Sequence, residues 1–265
     1  MSKDLFEIRR YELKYTITEQ MASEIRDYIK NICSMDKNVP KGDKGYIVNN
    51  LYFDTYDLKF YHDTKFKKMN RYKARARFYG EKAVDFIWPE IKYKIDSVVW
   101  KKRYNIPIKE WPALFNQENI TFTQPLIKKQ LDTFDNIVYW HDAQSILHVR
   151  YFREPYVSEI EEYARVTFDR QLCCRRTNGN ISLEYNEQDM FYYDDPVTTK
   201  HIDSPVILEI KVENHVPYWA IEMIRKFNLM QRGFSKYCYG IDSMLGYLDI
   251  NRISQFSYAK EQQLY

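Results

Sequence analysis

The amino-acid sequence predicts an α+β fold of about eight mostly antiparallel strands with some four helices packed outside the sheet. Segments in which polar and apolar residues alternate dominate the chain, as expected for strands that have one polar and one apolar face. Between and after them, apolar residues recur at helical spacing. No Pro/Ser linker, repeat or low-complexity segment interrupts the 265 residues. We therefore expect one domain over residues 1–250, followed by a tail over residues 251–265.

The two-residue period defines the strands. Eight segments show it, at residues 5–17, 46–53, 71–79, 84–95, 98–106, 145–156, 163–172 and 205–212. Helical spacing is found at residues 18–32, 125–140, 217–230 and 235–248. Thr18 is a candidate N-cap for the first helix, and Pro217 suits the first position of the third.

Composition limits the classes of protein that fit. Hydrophobic residues make up 45% of the chain and aromatic residues 17%, enough for a sizeable core. No apolar run approaches the roughly 18 residues of a membrane helix, so direct membrane insertion is not expected. The charged start of the chain lacks the apolar stretch of a secretory signal, and the four cysteines form no C-x-x-C pair. These features favour a cytoplasmic protein with reduced thiols.

Most familiar catalytic motifs are absent from the sequence. The seven glycines form neither G-x-G-x-x-G nor a P-loop, which argues against those nucleotide sites. There is no G-x-S-x-G, and the five histidines show no H-E-x-x-H spacing. A net charge of +3 says little by itself. The placement of the charges is more informative.

The segment "NRYKARARFYG" (70–80) alternates four cations with aromatic or alanine residues, which gives a strand with one cationic face. Six further segments carry charge on alternate positions. Together these faces hold 13 cations against 4 anions, an excess of nine positive charges. The cations are Arg10, Lys14, Arg71, Lys73, Arg75, Arg77, Lys92, Lys94, Lys101, Arg103, Arg153, Arg165 and Lys211, and the anions are Glu12, Glu90, Asp169 and Glu209.

Three interpretations of these faces are open. A half-exposed sheet with a solvated polar face is common, but it normally mixes charges to avoid like-charge pairs across strands. If the sheet curls, the charged faces line its interior, and unpaired cations there require water and a polyanion. Arginine suits such a ligand because its planar group binds phosphate through two hydrogen bonds. Nucleic acid is not expected, because most of the aromatic residues lie on the opposite face instead of interleaving with the cations for base stacking.

The motifs resemble, in order, those of the catalytic domain of the vacuolar transporter chaperone (VTC) family, within the CYTH-like triphosphate tunnel metalloenzymes. They are "YELKY", "NNLYFDTYDLKFY", "KARARFYG", "EIKYK" with "KKRY", "YFREPY", "ARVTFDR", "LEIKV" and "FSKYCYG". The resemblance spans roughly residues 7–240. It implies a closed, eight-stranded antiparallel tunnel that binds ATP and polyphosphate with Mn²⁺ or Mg²⁺.

The resemblance also implies roles for individual residues. The catalytic phosphate ligands would be Lys14, Arg75, Arg77, Lys92, Arg153 and Arg165. Further substrate contacts would come from Lys101, Tyr151, Ser235 and Lys236, and the metal ligand would be Glu209. On pattern alone, Arg71, Lys73, Lys94, Arg103 and Lys211 join the substrate-binding set. An ion pair with Lys211 is the alternative role for Glu209, and a helix N-cap is the alternative for Ser235.

Departures from the superfamily pattern bear on the activity. Hydrolase-type members begin with E-x-E-x-K, whereas Arg10 stands at the first of these positions here. Gly233 occupies a position at which polymerases often carry a basic residue. The expected activity is a polyphosphate polymerase that transfers the γ-phosphate of ATP to a growing chain. A triphosphatase and a non-catalytic polyphosphate-binding module are the alternatives.

Overall fold

A computed structural model describes residues 10–95, 98–112, 115, 133–161, 163–196, 205–231 and 233–245 of the chain. The predicted tail over residues 251–265 and the first part of the predicted helix at 125–140 lie outside this range. No helix in the described ranges has both the length and the apolar character needed to cross a membrane.

Eleven strands and five α-helices make up the described part of the fold. The strands are β1 Arg10–Ile17, β2 Cys33–Met35, β3 Tyr46–Asp54, β4 Arg71–Tyr79, β5 Phe86–Ile95, β6 Val98–Arg103, β7 Ile106–Pro107, β8 Gln144–Ser158, β9 Ala164–Arg176, β10 Phe191–Tyr192 and β11 Val206–Glu213. The helices are α1 Glu19–Ile29, α2 Lys59–Lys65, α3 Phe134–Trp140, α4 Tyr218–Lys226 and α5 Lys236–Leu245. Each of the eight predicted strands has a counterpart. Helix α2 and the short strands β2, β7 and β10 were not predicted.

All strand pairs in the sheet are antiparallel. Eight strands follow one another in the order β1-β11-β9-β8-β3-β4-β5-β6, and β10, β2 and β7 pair at the side of this path. The prediction of a closed eight-stranded barrel is wrong, because the sheet has eleven strands and its two ends, β1 and β6, are not paired in the described structure.

The open sheet is nevertheless strongly curled. Six inter-strand spacings separate β1 from β5 along the sheet, which is about 29 Å if the sheet were flat. The Nζ atom of Lys92 on β5 lies 3.0 Å from a carboxylate oxygen of Glu12 on β1. Side chains therefore bridge the gap that backbone hydrogen bonds leave open.

The outer face of the curled sheet is apolar and covered by helices. Helices α1 and α4 pack on β1, β11 and β9 through residues such as Ile25, Met223 and Phe168. Helix α3 and the N-terminal turn of α2 pack on β3, β4 and β5. The Thr18 hydroxyl accepts a hydrogen bond from the backbone of Met21, which confirms the predicted cap of α1. Pro217 was predicted to be the first helical residue of α4, but it is the N-cap, and the helix begins one residue later at Tyr218.

Helix α5 contradicts the prediction that all helices lie outside. It packs through Tyr237 and Ile241 on the inner surface of β3, β8 and β9, next to Leu147 and Val149. Gly240 makes this packing possible, since a Cβ there would lie 2.6 Å from a methyl group of Leu147. The inner surface is apolar at this end of the strands, so it has to be buried by an element of the chain.

Candidate functional site

The strand register places the predicted charged positions on one face, which we call the inner face. Lys14 is paired with Glu209, Lys211 with Arg165, and Arg153 with Asp169 across neighbouring strands. Arg75 is paired with Glu90 and Lys73 with Lys92. Because paired residues point to the same side of a sheet, cations from seven strands face the hollow of the curl. The Arg10 side chain lies outside the described structure.

One cluster of cations surrounds the carboxylate of Glu90. Arg75 donates to it at 2.7 Å through Nε, and the Nζ of Lys101 lies 2.8 Å away. Arg103 approaches to 3.7 Å. Burial of Glu90 opposes ionisation, but the charges of Arg75, Arg77 and Lys101 outweigh it and lower the pKa of this carboxyl group. Glu90 therefore neutralises only part of the charge of its four cationic neighbours.

In the part of the chain that the structure describes, Arg77 is bound by an amide oxygen instead of a carboxylate, although it lies near enough to Glu90 to interact with its charge. Its side chain is 7% exposed and donates through Nε to the Asn50 side-chain oxygen at 2.9 Å. Within the described ranges no carboxylate forms a salt bridge with it. Asn50 and Tyr52, which contacts Arg75 at 3.3 Å, were missed by the sequence analysis. The only sequence signal for these two residues is that each carries a polar group and that they stand two positions apart in β3, a mostly buried strand.

A second cluster joins β8, β9, β11 and helix α5. Arg153 donates through Nε and Nη2 to both oxygens of Asp169, each at 2.7 Å, and lies 3.4 Å from Glu209. Lys236 lies 2.7 Å from the same Asp169 carboxylate. The Tyr151 ring lies between these cations, with its centroid 5.3 Å from the Arg153 guanidinium carbon and 4.7 Å from Lys236 Nζ.

The first turn of α5 contacts the inner face from the side of the hollow. Ser235 Oγ accepts from the backbone N–H of Cys238 at 3.3 Å, so its alternative role as an N-cap is supported. The same oxygen accepts from Lys73 at 3.1 Å. Lys14 donates at 3.3 Å to the backbone oxygen of Phe234. This helix N-terminus therefore faces the lysines of β1 and β4.

Two carboxylates lie side by side on β1 and β11. The carboxyl groups of Glu12 and Glu209 are close enough to influence each other's ionisation. Glu209 contacts Lys211 at 2.9 Å, which supports the ion-pair alternative, and Glu12 contacts Lys14 at 2.8 Å. Burial opposes ionisation of Glu209, but Lys211 and Lys14 hold its pKa well below the ordinary value. Both groups can therefore act as anionic oxygen donors at neutral pH.

The predicted residues at the strand ends stand apart from these clusters. Arg71 donates to the backbone oxygen of Lys68, outside the clusters just described. Lys94 is its neighbour across β4 and β5. The Arg165 side chain is 47% exposed and lies 3.7 Å from Asp36. These three residues flank the clusters instead of joining them.

The pKa of Lys73 offers a pH test of the site. Burial lowers it to about 8, and Lys14 and Lys92 add to this effect. Burial also lowers the pKa of Lys101 to about 8. Both groups lose charge as the pH rises through 8, and we expect affinity for tripolyphosphate to fall by about tenfold between pH 7 and pH 9. Calorimetric titration at constant ionic strength measures this change.

The Lys73→Met variant sharpens this test. It should bind more weakly at pH 7 and show a shallower pH dependence, since only Lys101 of the pair still titrates. In the wild type, the pKa of Lys73 is lower in the folded state than in the unfolded state. The free energy of unfolding of the wild type therefore also rises between about pH 8 and pH 10. Identical pH profiles for the wild type and the variant would contradict a ligand contact at Lys73.

Comparison with known proteins identifies the family. The chain matches the VTC domain family over residues 9–245. It belongs to the VTC domain family. The predicted membership is therefore confirmed across the curled sheet and the helices that surround it. No curated protein matches the chain.

Two solved structures are among those that are similar to the chain. One is a proposed adenylate cyclase from Bacillus halodurans, with 14% identity and a TM-score of 0.48, covering 84% of this chain and 92% of that one. The other is a proposed adenylate cyclase from Vibrio parahaemolyticus, with 10% identity and a TM-score of 0.41, covering 87% of this chain and 96% of that one.

Proposed function

We propose that this VTC domain is a polyphosphate polymerase, which transfers the γ-phosphate of ATP to a growing polyphosphate chain along the inner face. The observation that carries the proposal is the convergence of cations from six strands and the start of α5 on one hollow. Among the residues that the structure describes, these cations share four acids of that face, Glu12, Glu90, Asp169 and Glu209, so a string of phosphates supplies the missing negative charge. Clamping by Lys and Arg is also what phosphoryl transfer requires, because it depends on positioning and on charge stabilisation.

The cations contact the phosphates from two opposite sides of the hollow. Arg75, Arg77 and Lys101 hold the phosphates on the β4–β6 side. Arg153 and Lys236 face them from β8 and α5, where the backbone N–H groups of the helix start add positive potential. Phosphates bound between the two sides are aligned for in-line transfer and have little need of a protein nucleophile.

Glu209 is proposed to hold Mn²⁺ or Mg²⁺ together with Glu12. The donors fit such an ion, since both are carboxylates and the buried Thr167 hydroxyl, paired with Glu209 in the register, has no hydrogen-bond partner in the described ranges. No group of three or more metal-binding side chains occurs within those ranges. Phosphate oxygens and water would therefore complete the coordination. Such an ion would neutralise charge on the phosphates.

Synthesis of polymer tests the proposed activity directly. Purified protein is incubated with ATP and Mn²⁺, and the products are separated on a gel. Long polyphosphate chains together with ADP are the expected products. Orthophosphate as the only phosphate product would contradict the polymerase and favour the triphosphatase, whereas tight binding without turnover would favour the non-catalytic module.

Replacement of Glu209 tests the metal assignment. We expect Glu209→Gln to weaken Mn²⁺ binding, measured by calorimetry in the presence of tripolyphosphate, and to lower polymer synthesis by about 100-fold. Glu154→Gln is the matched control, because Glu154 is also a buried carboxylate bound to arginine, but it lies on the outer face. A Glu209→Gln variant with unchanged Mn²⁺ affinity and a lower melting temperature would instead leave Glu209 with only an ion-pair role.

A further inference from the structure

A row of aromatic rings continues the inner face beyond the phosphate-binding cations on β3, β4 and β5. We call it the aromatic row, and it consists of Tyr46, Tyr79, Trp88 and Phe86. Neighbouring rings are in contact, with centroid distances of 5.6 Å for Tyr46–Tyr79, 5.3 Å for Tyr79–Trp88 and 6.3 Å for Phe86–Trp88. The proposed phosphate transfer makes no use of these rings.

The aromatic row adjoins the cations directly. Trp88 is paired with Arg77 across β5 and β4, and Tyr46 is paired with Arg153 across β3 and β8. The guanidinium carbon of Arg103 lies 5.2 Å from the centroid of the Trp88 ring. Arg103 also reaches towards Glu90 at 3.7 Å, so it connects the row to the Glu90 cluster.

The rings of the aromatic row are only partly buried. Tyr46, Tyr79 and Trp88 are half-buried, and Phe86 is 39% exposed. The aromatic residues of the outer face that pack under α3 differ from them, since Phe53, Phe60 and Trp111 are at most 2% exposed. Ring surface that remains accessible beside a cluster of phosphate-binding cations is the arrangement that recognises a nucleotide through its base and its phosphates together.

We propose that the aromatic row is a nucleobase subsite that stacks the base of a nucleoside triphosphate while its phosphates run along the inner face. This inference rests on the proposed binding of triphosphates to that face. It also gives the nucleotide a direction. A base on Trp88 places the first phosphates at Arg77 and Arg103. The terminal phosphate then lies at Arg75 and Lys101, further along the inner face by two residues of a strand, or about 6.8 Å.

The same arrangement predicts weak discrimination among bases. Stacking acts on the π-face that every base has, and it does not depend on a particular pattern of hydrogen bonds. ATP and GTP are therefore expected to compete for the site. Inorganic tripolyphosphate carries no base, so its binding is expected to be independent of the aromatic row.

The ratio of two affinities tests the subsite. Dissociation constants for ATP and for tripolyphosphate are measured by calorimetry, in Mn²⁺, for the wild type and for Trp88→Ala and Trp88→Leu. We expect both variants to weaken ATP binding by roughly 5- to 100-fold and to leave tripolyphosphate binding unchanged. Trp88→Phe should keep most of the ATP affinity because it retains a ring.

Trp100→Ala is the control for the loss of a tryptophan from the same sheet. Trp100 is 54% exposed and stacks on Tyr93 on the outer face, so neither affinity should change. Equal effects of Trp88→Ala on both ligands, or no effect on ATP, would overturn the subsite. A wild type that binds neither ligand would instead overturn the proposed function, while a protein that binds both without making polymer would leave the subsite supported.

Discussion

Replacement of Arg77 by alanine is expected to lower polyphosphate synthesis by about 100- to 1,000-fold and to leave the fold intact. The side chain is almost fully buried on the inner face, and its Nε is bound by an amide oxygen rather than by a carboxylate. Its positive charge is therefore available to a phosphate, and charge stabilisation of this kind is a large term in phosphoryl transfer. Initial rates of polymer formation from ATP measure the effect.

The fold should tolerate the loss of Arg77. Arg75 lies two residues away and repels it, so the substitution removes a like-charge interaction. We expect the melting temperature to fall by less than about 4 °C. Arg150→Ala is the matched control, because Arg150 is also 7% exposed but lies on the outer face and contacts Glu81. Polymer synthesis at the wild-type rate in Arg77→Ala, or a similar loss in both variants, would contradict the assignment.

Asp169→Asn is expected to cause the largest loss of stability among single changes at the site, about 3–5 kcal/mol. The carboxylate is fully buried and receives two hydrogen bonds from Arg153, while Lys236 lies 2.7 Å away. The amide would remove the nearest counter-charge of two cations whose side chains are only 11% and 10% exposed, and Arg153 would keep only the 3.4 Å contact with Glu209. Urea unfolding of the ligand-free variant measures the loss.

Two comparisons separate this effect from a general loss of a buried acid. Asp63→Asn should cost about 1 kcal/mol or less, since Asp63 is equally buried but its partners Lys59 and Lys68 are 46% and 60% exposed. Burial opposes ionisation of Asp169, but Arg153 and Lys236 lower its pKa to about 2. The wild type should therefore lose stability as the pH falls from about 4 to 2, and Asp169→Asn should lose less over that range. Equal losses of free energy of unfolding in Asp169→Asn and Asp63→Asn would contradict the role of Asp169 as the counter-charge of Arg153 and Lys236.

The alternation of residues predicted which side chains share a face. Arg71, Lys73, Arg75 and Arg77 lie on the inner face because the period of a strand is fixed at two residues. Which residues lie opposite them, such as Glu90 opposite Arg75 and Asn50 opposite Arg77, depends on the pairing of the strands, and a single sequence does not reveal that pairing. This is why Glu90 and Asp169 were recognised only as charges and not as the centres of the two clusters.

Closure of the sheet was beyond what alternation specifies. Whether a sheet closes depends on strand stagger and tilt, and neither changes the order of polar and apolar residues. Helix α5 was placed outside because its apolar stripe shows that one side is buried but not against which surface. The short helix α2 begins after Leu58, which has a left-handed backbone conformation and makes no capping hydrogen bond. Its first N–H groups are bound instead by the side chains of Asp54 and Thr55, which lie further back in the sequence than an N-cap residue and therefore give no capping pattern next to the helix.

A crystal structure of the protein soaked with tripolyphosphate and Mn²⁺ tests the central claim most directly. We predict that the anion lies in the hollow of the sheet, with its phosphates in contact with Arg75 and Arg77 on one side and with Arg153 and Lys236 on the other. Tripolyphosphate bound only outside the curl, with the salt bridges to Glu90 and Asp169 unchanged, would show that these cations hold the sheet together and do not bind phosphate.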